Sequence, residues 1–312
     1  MNNFFVCFNA VLPILISLIV GYLAQSMKML NRQDVEKFNR IAFNIFCPIM
    51  VFYNIYCSDL EGSVNYSLLL FAGLGILAAF ALSSLYAKVF IKDLSYRSVI
   101  IQGLFRSNFV VIGLAIATNL VEDGDASVVT VLLAVVVPLF NAFSVICLNA
   151  FSDKKTSGKD TFLKIIKNPL IISCVLGIVF KASGWRLPAV AEKVVSDFAD
   201  VASPLMLFLL GAFFRFDNVF KYIREIVIVG VGRLLVIPAL FLPLAYFLGF
   251  RGLDFAALIA VFGSSSAATS FTMAQQMGGD ADLAGNIIVV TSLLCPLTVF
   301  LWSMIFKSLG AF

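Results

Sequence analysis

The sequence predicts an all-helical integral membrane protein with ten transmembrane helices, arranged as two inverted repeats of five. The prediction rests on the composition, on the lengths of the apolar stretches and on a basic linker near the midpoint. Of the 312 residues, 61% are hydrophobic and 13% are charged, and the mean hydropathy is +1.01. A soluble domain of this size could not cover so much apolar surface, whereas lipid surrounds such a surface readily.

Ten apolar stretches remain when the chain is divided at its polar clusters. Each is close to the length of about 20 residues that crosses about 30 Å of hydrocarbon as a helix. They are 5–25, 39–57, 66–90, 97–119, 126–150, 165–182, 191–213, 223–248, 254–275 and 283–307. We expect the first stretch to be a spanning helix rather than a removable signal, because no basic residue precedes it.

The basic residues predict the orientation of the chain. Of the 22 Lys and Arg residues, 15 lie in the first, third, fifth and seventh loops, five lie in the even loops and the C-terminal segment, and two lie inside apolar stretches. Because cytoplasmic loops are enriched in Lys and Arg, we expect the odd loops in the cytoplasm and both termini outside it. The net charge of +4 follows this pattern and gives no reason to expect a nucleic-acid partner.

A basic polar segment near the midpoint divides the chain into halves. We expect residues 1–151 to form the first repeat (helices 1–5), residues 152–164 a cytoplasmic linker, and residues 165–312 the second repeat (helices 6–10). An odd number of spans in each half makes the halves enter the membrane from opposite sides, as in many secondary transporters. The similarity of Gly124–Ser127 to Gly279–Asp282, each before the last span of its half, supports a duplication.

Several functions are disfavoured by the residues that the chain lacks. The sequence contains no His, and none of its six Cys residues belongs to a C-x-x-C pair. The usual zinc sites and the His-based catalytic triad therefore have no candidates. An aspartyl-type intramembrane hydrolase would need two intramembrane aspartates, yet Asp280 lies at a loop. We expect no enzyme activity, no catalytic residue, no metal and no other cofactor.

Polar clusters interrupt the fourth and ninth apolar stretches, where a lipid-facing helix should have none. An interrupted helix frees backbone N–H and C=O groups that hydrocarbon cannot satisfy, so such segments face a cavity, a ligand or other protein. Matching interruptions in two halves are the sequence feature that best indicates a transporter binding site. The predicted substrate-binding residues are Arg106, Asn108 and Gly113 in the fourth stretch and Ser264, Ser265, Ser266, Thr269 and Ser270 in the ninth.

Arg106 is the strongest single candidate among them. An arginine near the bilayer centre costs about 3 kcal/mol or more, and its planar guanidinium matches a carboxylate at two points. The alternative is that Arg106 snorkels to the surface, since Arg97 is only nine residues earlier. Arg233 is equally deep in the eighth stretch, and for it we favour a structural role over pairing with an acid or a response to voltage.

Polar residues near intramembrane prolines form a second group of candidates. Proline removes a backbone hydrogen bond and frees a carbonyl, which suits an ion or a substrate. The candidate ion or substrate ligands are Asn44, Pro48, Asn141, Thr291 and Thr298, and Ser203-Pro204 in the seventh stretch is a counterpart of Pro48. Kinks that only aid packing explain these residues equally well, and both interpretations stay open.

Taken together, these motifs resemble the auxin efflux carrier family over essentially the whole chain. The resemblance rests on the five-plus-five spans, on Arg106-Ser107-Asn108 followed by Gly113, and on the Ser/Ala/Thr-rich ninth stretch followed by Gly278-Gly279-Asp280. The short central loop is similar to that of the bacterial branch, whose members are often described as malonate or related organic-acid permeases.

The resemblance implies a fold similar to the sodium/proton antiporters and bile-acid symporters. In that fold a scaffold domain and a transport domain, each drawn from both repeats, slide past each other, and helices 4 and 9 unwind and cross. By position, the crossing segments would be Asn108–Gly113 and Ser264–Ser270. Many relatives carry proline at a crossing, whereas neither segment here contains one, so the break points are not defined by the resemblance.

The resulting prediction is a secondary active transporter of the bacterial cytoplasmic membrane, a permease or efflux carrier. It would move a small organic anion, such as a mono- or dicarboxylate, by alternating access. The expected partners are that anion, the lipid bilayer and, by fold analogy alone, a second copy in a homodimer. Coupling to H⁺ or Na⁺ stays open. The alternatives are a sodium-coupled symporter of the bile-acid type, a membrane sensor or scaffold without transport, and a simple channel.

Overall fold

The structure is a computed structural model that describes residues 2–58, 65–110, 127–151, 163 and 166–311. Gly113 and the central linker therefore lie outside the described residues. The main helices are α1 (Asn2–Ser26), α2 (Arg32–Tyr56), α3 (Tyr66–Phe90), α4 (Leu94–Phe105), α5 (Ser127–Ala150) and α6 (Pro169–Ser183). They continue with α7 (Ala189–Phe213), α8 (Ile223–Phe247), α9 (Gly252–Gly263), α10 (Thr269–Met277) and α11 (Ala281–Ser308), and a short helix, Phe216–Lys221, precedes α8.

The prediction of an all-helical membrane protein is confirmed in its general form. Within the described ranges, six helices are long and apolar enough to cross a bilayer, namely α2, α3, the Val131–Ala150 part of α5, α7, α8 and α11. Their outward faces carry exposed Leu, Ile and Val side chains, such as Leu74 and Leu77 on α3 and Leu240 and Leu244 on α8. Exposed apolar rows of this kind suit contact with lipid rather than with water.

Where the structure describes them, the helix boundaries agree with the predicted spans to within four residues except at three places. Helix α2 begins at Arg32, seven residues before the predicted start, because Asn31 and Asp34 form a capping box that starts the helix in the polar segment. The fourth and ninth spans are each interrupted, and their second parts begin at Phe109 and Thr269.

Two of the long helices contain a π turn that is followed by a proline. In α2 the turn is Ala42–Phe46, before Pro48, and in α8 it is Gly232–Val236, before Pro238. Proline has no N–H, so the carbonyls one turn earlier need a different partner, and the wider turn is one way to accommodate this. Each π turn inserts a residue and so rotates the face that the rest of the helix presents.

The helices pack in a pattern that repeats between the halves. Helix α1 packs on α7 and α11, and α6 packs on α2 and α5. Helix α3 packs on α4 and α5, and α8 packs on α9 and α11. These contacts surround the two interrupted spans and set the position of the buried polar residues.

The contact between α1 and α7 depends on two glycines. A Cβ at Gly21 would collide with the carbonyl oxygen of Phe208, and a Cβ at Gly211 would collide with that of Leu18. Small residues allow helix backbones to approach closely in a membrane, where no hydrophobic effect drives helices together. The two glycines therefore hold α1 against α7.

Replacing Gly211 by Val should push α1 away from α7 and destabilise the protein by about 1–3 kcal/mol, the usual cost of overpacking. The unfolding temperature of the protein in detergent measures the effect. Gly230→Ala is the matched control, because a Cβ there meets nothing within 4 Å. Equal unfolding temperatures for the two variants would contradict the close packing of α1 on α7.

Candidate functional site

The candidate site lies where the two interrupted spans meet. Helix α4 ends at Phe105, and the non-helical residues Arg106–Asn108 separate it from the helix that resumes at Phe109. Helix α9 ends at Gly263, and Ser264–Ala268 separate it from α10. The first break therefore begins two residues before the expected Asn108, and the second lies within the expected Ser264–Ser270.

The two non-helical segments pair with each other. Ser107 and Ser266 form an antiparallel bridge, and the Asn108 backbone N–H donates to the Ser265 carbonyl at 2.8 Å. The Ser266 hydroxyl donates to the Gly103 carbonyl at 2.8 Å, and the Ser266 backbone N–H donates to Thr291 Oγ1 at 3.3 Å. Small side chains let the two backbones approach, so the serine-rich composition of the ninth span suits this pairing.

Arg233 of α8 binds the C-terminal ends of both half-helices. Its guanidinium donates to the carbonyls of Leu104 and Phe105 at 3.3 Å each, of Val261 at 2.7 Å and of Ser264 at 2.9 Å. The residue is 0% exposed. Since helix C-termini carry partial negative charge, the cation lies where two helix dipoles favour it.

The carbonyls at the end of α4 are all satisfied without a proline-induced kink. The Gln102 carbonyl accepts from the Arg106 backbone N–H at 3.0 Å, and Gly103 accepts from Ser266. The Leu104 and Phe105 carbonyls accept from Arg233. A helix end in hydrocarbon needs such partners, because unsatisfied carbonyls there cost several kcal/mol. These donors supply what is needed to end a helix inside the protein.

Arg106 is also buried, but its hydrogen-bond partners differ from those of Arg233. It is 5% exposed, and its guanidinium donates to Asn141 Oδ1 at 2.9 Å, to Ser144 Oγ at 2.9 Å and to Met273 Sδ at 2.8 Å. No carboxylate of the described residues forms a salt bridge with it. The side chain does not snorkel, and among the described residues its hydrogen-bond partners are all uncharged.

A cavity of about 50 Å³ opens beside Arg106, between α2 and α7 on one side and the interrupted spans and α5 on the other. This volume has room for a few water molecules, at roughly 10–15 Å³ for each. The lining residues are Met50, Val51, Asn54, Arg106, Ser107, Asn108, Val110, Val137, Phe140, Asn141, Ser203, Met206, Leu207, Ala267, Ala268 and Thr269. Arg106 is the one charged side chain among these lining residues.

Three polar groups in the wall of the cavity lack hydrogen-bond partners among the described residues. They are the side-chain amide nitrogens of Asn54 and Asn108 and the hydroxyl of Ser107. Buried polar groups in native proteins are nearly always paired, because an unpaired one costs about 1–3 kcal/mol. These three donors and the buried Arg106 cation, which forms no salt bridge with a described residue, make a site that suits an anion with hydrogen-bond acceptors.

The structure brings some of the predicted residues to this cavity and places others around it. Arg106, Asn108, Asn141 and Thr269 line the cavity. Ser264, Ser265, Ser266 and Thr291 form the crossing itself through the contacts described above. Ser270 lines a separate cavity of about 10 Å³ next to Gln102, which is room for one water molecule at most.

Asn44, Pro48 and Thr298 do not join the cavity. The exposed Asn44 donates its amide to the Arg40 carbonyl of its own helix at 2.8 Å. Pro48 follows the π turn of α2. The Thr298 hydroxyl donates to the Cys295 carbonyl, also within its own helix, at 3.1 Å. Of the three asparagines in α2, the one at the cavity is Asn54, which the sequence analysis did not select.

Ser144 and Met273, which contact Arg106, were also missed. Nothing in their local sequence distinguishes them, since Ser and Met are ordinary in apolar spans. One feature of the sequence could have identified Asn54 as a site residue: its amide lies in an apolar stretch, only six residues after Pro48. Among the described residues, no group of three or more His, Cys, Asp or Glu side chains could hold a metal ion.

The interrupted helices that cross at a buried polar cavity define a class of protein, the polytopic membrane transport proteins. A family model described as membrane transport protein matches residues 6–159 and 152–303. The chain therefore belongs to this family, that of the auxin efflux carriers, and the resemblance stated from the sequence is confirmed. An uncharacterized transporter from Methanothermobacter thermautotrophicus is 22% identical over 308 residues, which are 95% of this chain and 97% of the relative. The protein is a multi-pass membrane transport protein and not an enzyme.

Replacing Arg233 by Met should destabilise the protein by about 3 kcal/mol or more, because four buried carbonyls lose their donor at once. The unfolding temperature in detergent measures the loss. Arg215→Met is the matched control, since Arg215 is an exposed arginine in the segment between α7 and α8. An Arg233→Met protein as stable as the control would mean that Arg233 does not hold the crossing together.

Proposed function

We propose that the protein is a secondary transporter that moves a small organic anion by alternating access, with the anion bound at the Arg106 cavity. The observation that carries this proposal is a buried guanidinium that has no carboxylate partner among the described residues. Beside it lie the donors of Asn54, Ser107 and Asn108, which likewise have no partner in the described part of the chain. A buried charge without a counter-ion is costly, so an arriving anion gains most of its binding energy from compensating it.

The repeated packing of the helices supports the inverted-repeat architecture and hence alternating access. The contacts of α1 with α7 and α11 correspond to those of α6 with α2 and α5. The contacts of α3 with α4 and α5 correspond to those of α8 with α9 and α11. This correspondence is expected for ten spans in two five-helix repeats, residues 1–151 and 165–312, joined by a cytoplasmic linker at 152–164 and with both termini outside a bacterial cytoplasmic membrane.

The location of the cavity fits a boundary between two moving bodies. Its first wall is formed by Met50, Asn54 and Met206 of α2 and α7, which belong to the proposed scaffold of α1, α2, α6 and α7. Its second wall is formed by Arg106 and Asn141, which belong to the proposed transport domain. Sliding of one body past the other would change the side from which the cavity is reached. Because the cavity has a volume of only about 50 Å³, it must widen to admit an organic acid.

The lining favours an anion with one negative charge and an apolar body. Arg106 supplies one positive charge, whereas the wall opposite consists largely of apolar groups such as Val51, Met206 and Leu207. A second carboxylate would be desolvated without a cation to balance it. We therefore favour a monocarboxylate over a dicarboxylate such as malonate.

Sodium coupling is disfavoured by the position of Arg233. In sodium-coupled carriers, unwound backbone carbonyls and half-helix C-termini bind the ion. Here the carbonyls of Leu104, Phe105, Val261 and Ser264 accept hydrogen bonds from Arg233, so a fixed cation already lies among them. A proton-coupled carrier or a uniporter fits this arrangement better than a symporter of the bile-acid type.

A monocarboxylate that binds at the cavity should stabilise the purified protein against heat. At a hundred times its dissociation constant, a specific ligand stabilises by about 2.7 kcal/mol. The panel is acetate, isovalerate, benzoate, malonate and succinate. We expect one of the monocarboxylates to raise the unfolding temperature of the wild type but not that of Arg106→Gln, and Asn54→Ala to bind about tenfold more weakly or worse.

Asn44→Ala is the matched control for these variants, because it removes an exposed asparagine from the same helix as Asn54. It should respond like the wild type. If no acid stabilises the wild type, or if Arg106→Gln responds equally, the proposed anion site is wrong.

Replacing sodium by choline at constant ionic strength should leave the apparent affinity for that acid unchanged within about twofold, since no sodium site is expected beside Arg233. Titration of the unfolding temperature with the acid in the two buffers gives both affinities. A tenfold or larger gain in sodium would reject this part of the proposal and support the bile-acid type of symporter.

A further inference from the structure

A second cavity lies on the opposite side of the crossing, between α3 and α8. It is a groove of about 540 Å³, and its lining residues are Leu82, Ser83, Tyr86, Leu104, Val227, Ile228, Val231, Gly232, Val236, Ile237 and Leu240. Its rims are open to the lipid, since Leu82, Val231 and Leu240 are 48%, 46% and 49% exposed. The Ser83 hydroxyl already donates to the Ala79 carbonyl, so the interior of the groove is apolar apart from Tyr86.

The floor of this groove is the back of the crossing. It is formed by Gly232, the first residue of the π turn in α8, and by Leu104 of α4. A Cβ at Gly232 would collide with the end of the Leu104 side chain, so the glycine lets that side chain pack directly on α8. The Leu104 carbonyl accepts from Arg233, and Arg106, two residues further on, lines the other cavity.

The dimensions and the lining of the groove suit one lipid acyl chain. From Val227 to Leu240 the groove follows α8 for about 20 Å at 1.5 Å per residue, somewhat more than the roughly 15 Å of hydrocarbon in one leaflet. An empty groove of this volume would forfeit dispersion contacts along its walls. Because its rims face the hydrocarbon of the bilayer, a lipid acyl chain is the group available to fill it.

The position of Arg224 indicates that the headgroup of this lipid is negatively charged. It is exposed, takes part in none of the salt bridges among the described residues, and lies three, four and seven residues before Val227, Ile228 and Val231. That spacing places it on the groove face of α8, at the end that begins at Ile223. A cation in the first turn of a helix opposes the helix dipole, so the helix itself gives no reason for an arginine at this position.

We propose that the groove between α3 and α8 binds one acyl chain of an anionic phospholipid, whose phosphate is held by Arg224. The chain lies against Gly232 and Leu104 and fills the space behind the crossing. This binding site is separate from the Arg106 cavity and does not depend on the proposed substrate.

Native mass spectrometry of the delipidated protein tests the proposal, with phosphatidylglycerol and phosphatidylcholine of identical chains as the two probes. We expect the wild type to retain phosphatidylglycerol about fivefold better than phosphatidylcholine, the ratio for one basic residue near the surface. Arg224→Gln should lose this preference. Lys88→Gln is the matched control and should keep it, because Lys88 is an exposed basic residue of α3 two positions after Tyr86 and so on another face.

Filling the groove should remove the binding of both lipids. Leu82→Trp and Val231→Trp fill it from opposite walls, and each is first checked for an unfolding temperature near that of the wild type, so that a folded variant remains for the test. Equal retention of the two lipids by the wild type would overturn the headgroup assignment. Unchanged binding in a folded tryptophan variant, or a dimer of this chain that the tryptophan breaks, would overturn the proposal of a lipid in the groove.

Discussion

The hydrogen bonds of Arg233 with the ends of α4 and α9 are the interaction on which the rest of the site depends. Two half-helices that end within a bilayer leave carbonyls that hydrocarbon cannot satisfy, and a buried arginine is itself costly there. Each offsets the cost of the other: the guanidinium supplies donors to four carbonyls, and the carbonyls and helix dipoles solvate the charge. With this contact in place, both helices end without proline. The non-helical segments that follow them are then free to form the Ser107–Ser266 bridge.

The break fixes the two sides of the crossing. Because α4 ends at Phe105, the next residue leaves the helix and its guanidinium turns toward α5 and α10, where Asn141, Ser144 and Met273 hold it. The preceding turn of α4 remains helical and presents Leu104 to the groove between α3 and α8. Neighbouring residues of one segment thus line a polar cavity and an apolar groove. We therefore expect that binding in either cavity changes the packing at the crossing.

Much of the helical layout could be predicted from the sequence, because apolar length and the distribution of basic residues reflect the bilayer directly. Helix α3 matches its predicted range of 66–90, and the polar clusters of the fourth and ninth spans identified where the helices break. The partners of the two buried arginines could not be predicted in this way. Arg233 contacts carbonyls about 130 residues away, and backbone carbonyls leave no mark in a sequence.

The asparagines of α2 illustrate the same limit. Asn44 and Asn54 are equally polar and lie in one apolar stretch, yet the first faces outward and the second lines the cavity. The π turn at Ala42–Phe46 rotates the later part of the helix relative to a regular α-helical register. A helical periodicity drawn from the sequence could not include this rotation, so it did not distinguish the two residues.

Counterflow in proteoliposomes tests the central claim most directly, since it requires both a specific anion site and alternating access. Vesicles with the wild-type protein are loaded with an unlabelled monocarboxylate that stabilises it, and the same acid is then supplied outside in labelled form. The account predicts that the labelled acid accumulates transiently above its equilibrium level. Each binding site that releases unlabelled acid outside the vesicle can bind labelled acid there and carry it inward. Entry that only approaches equilibrium, as through a channel, or no entry above protein-free vesicles would contradict it.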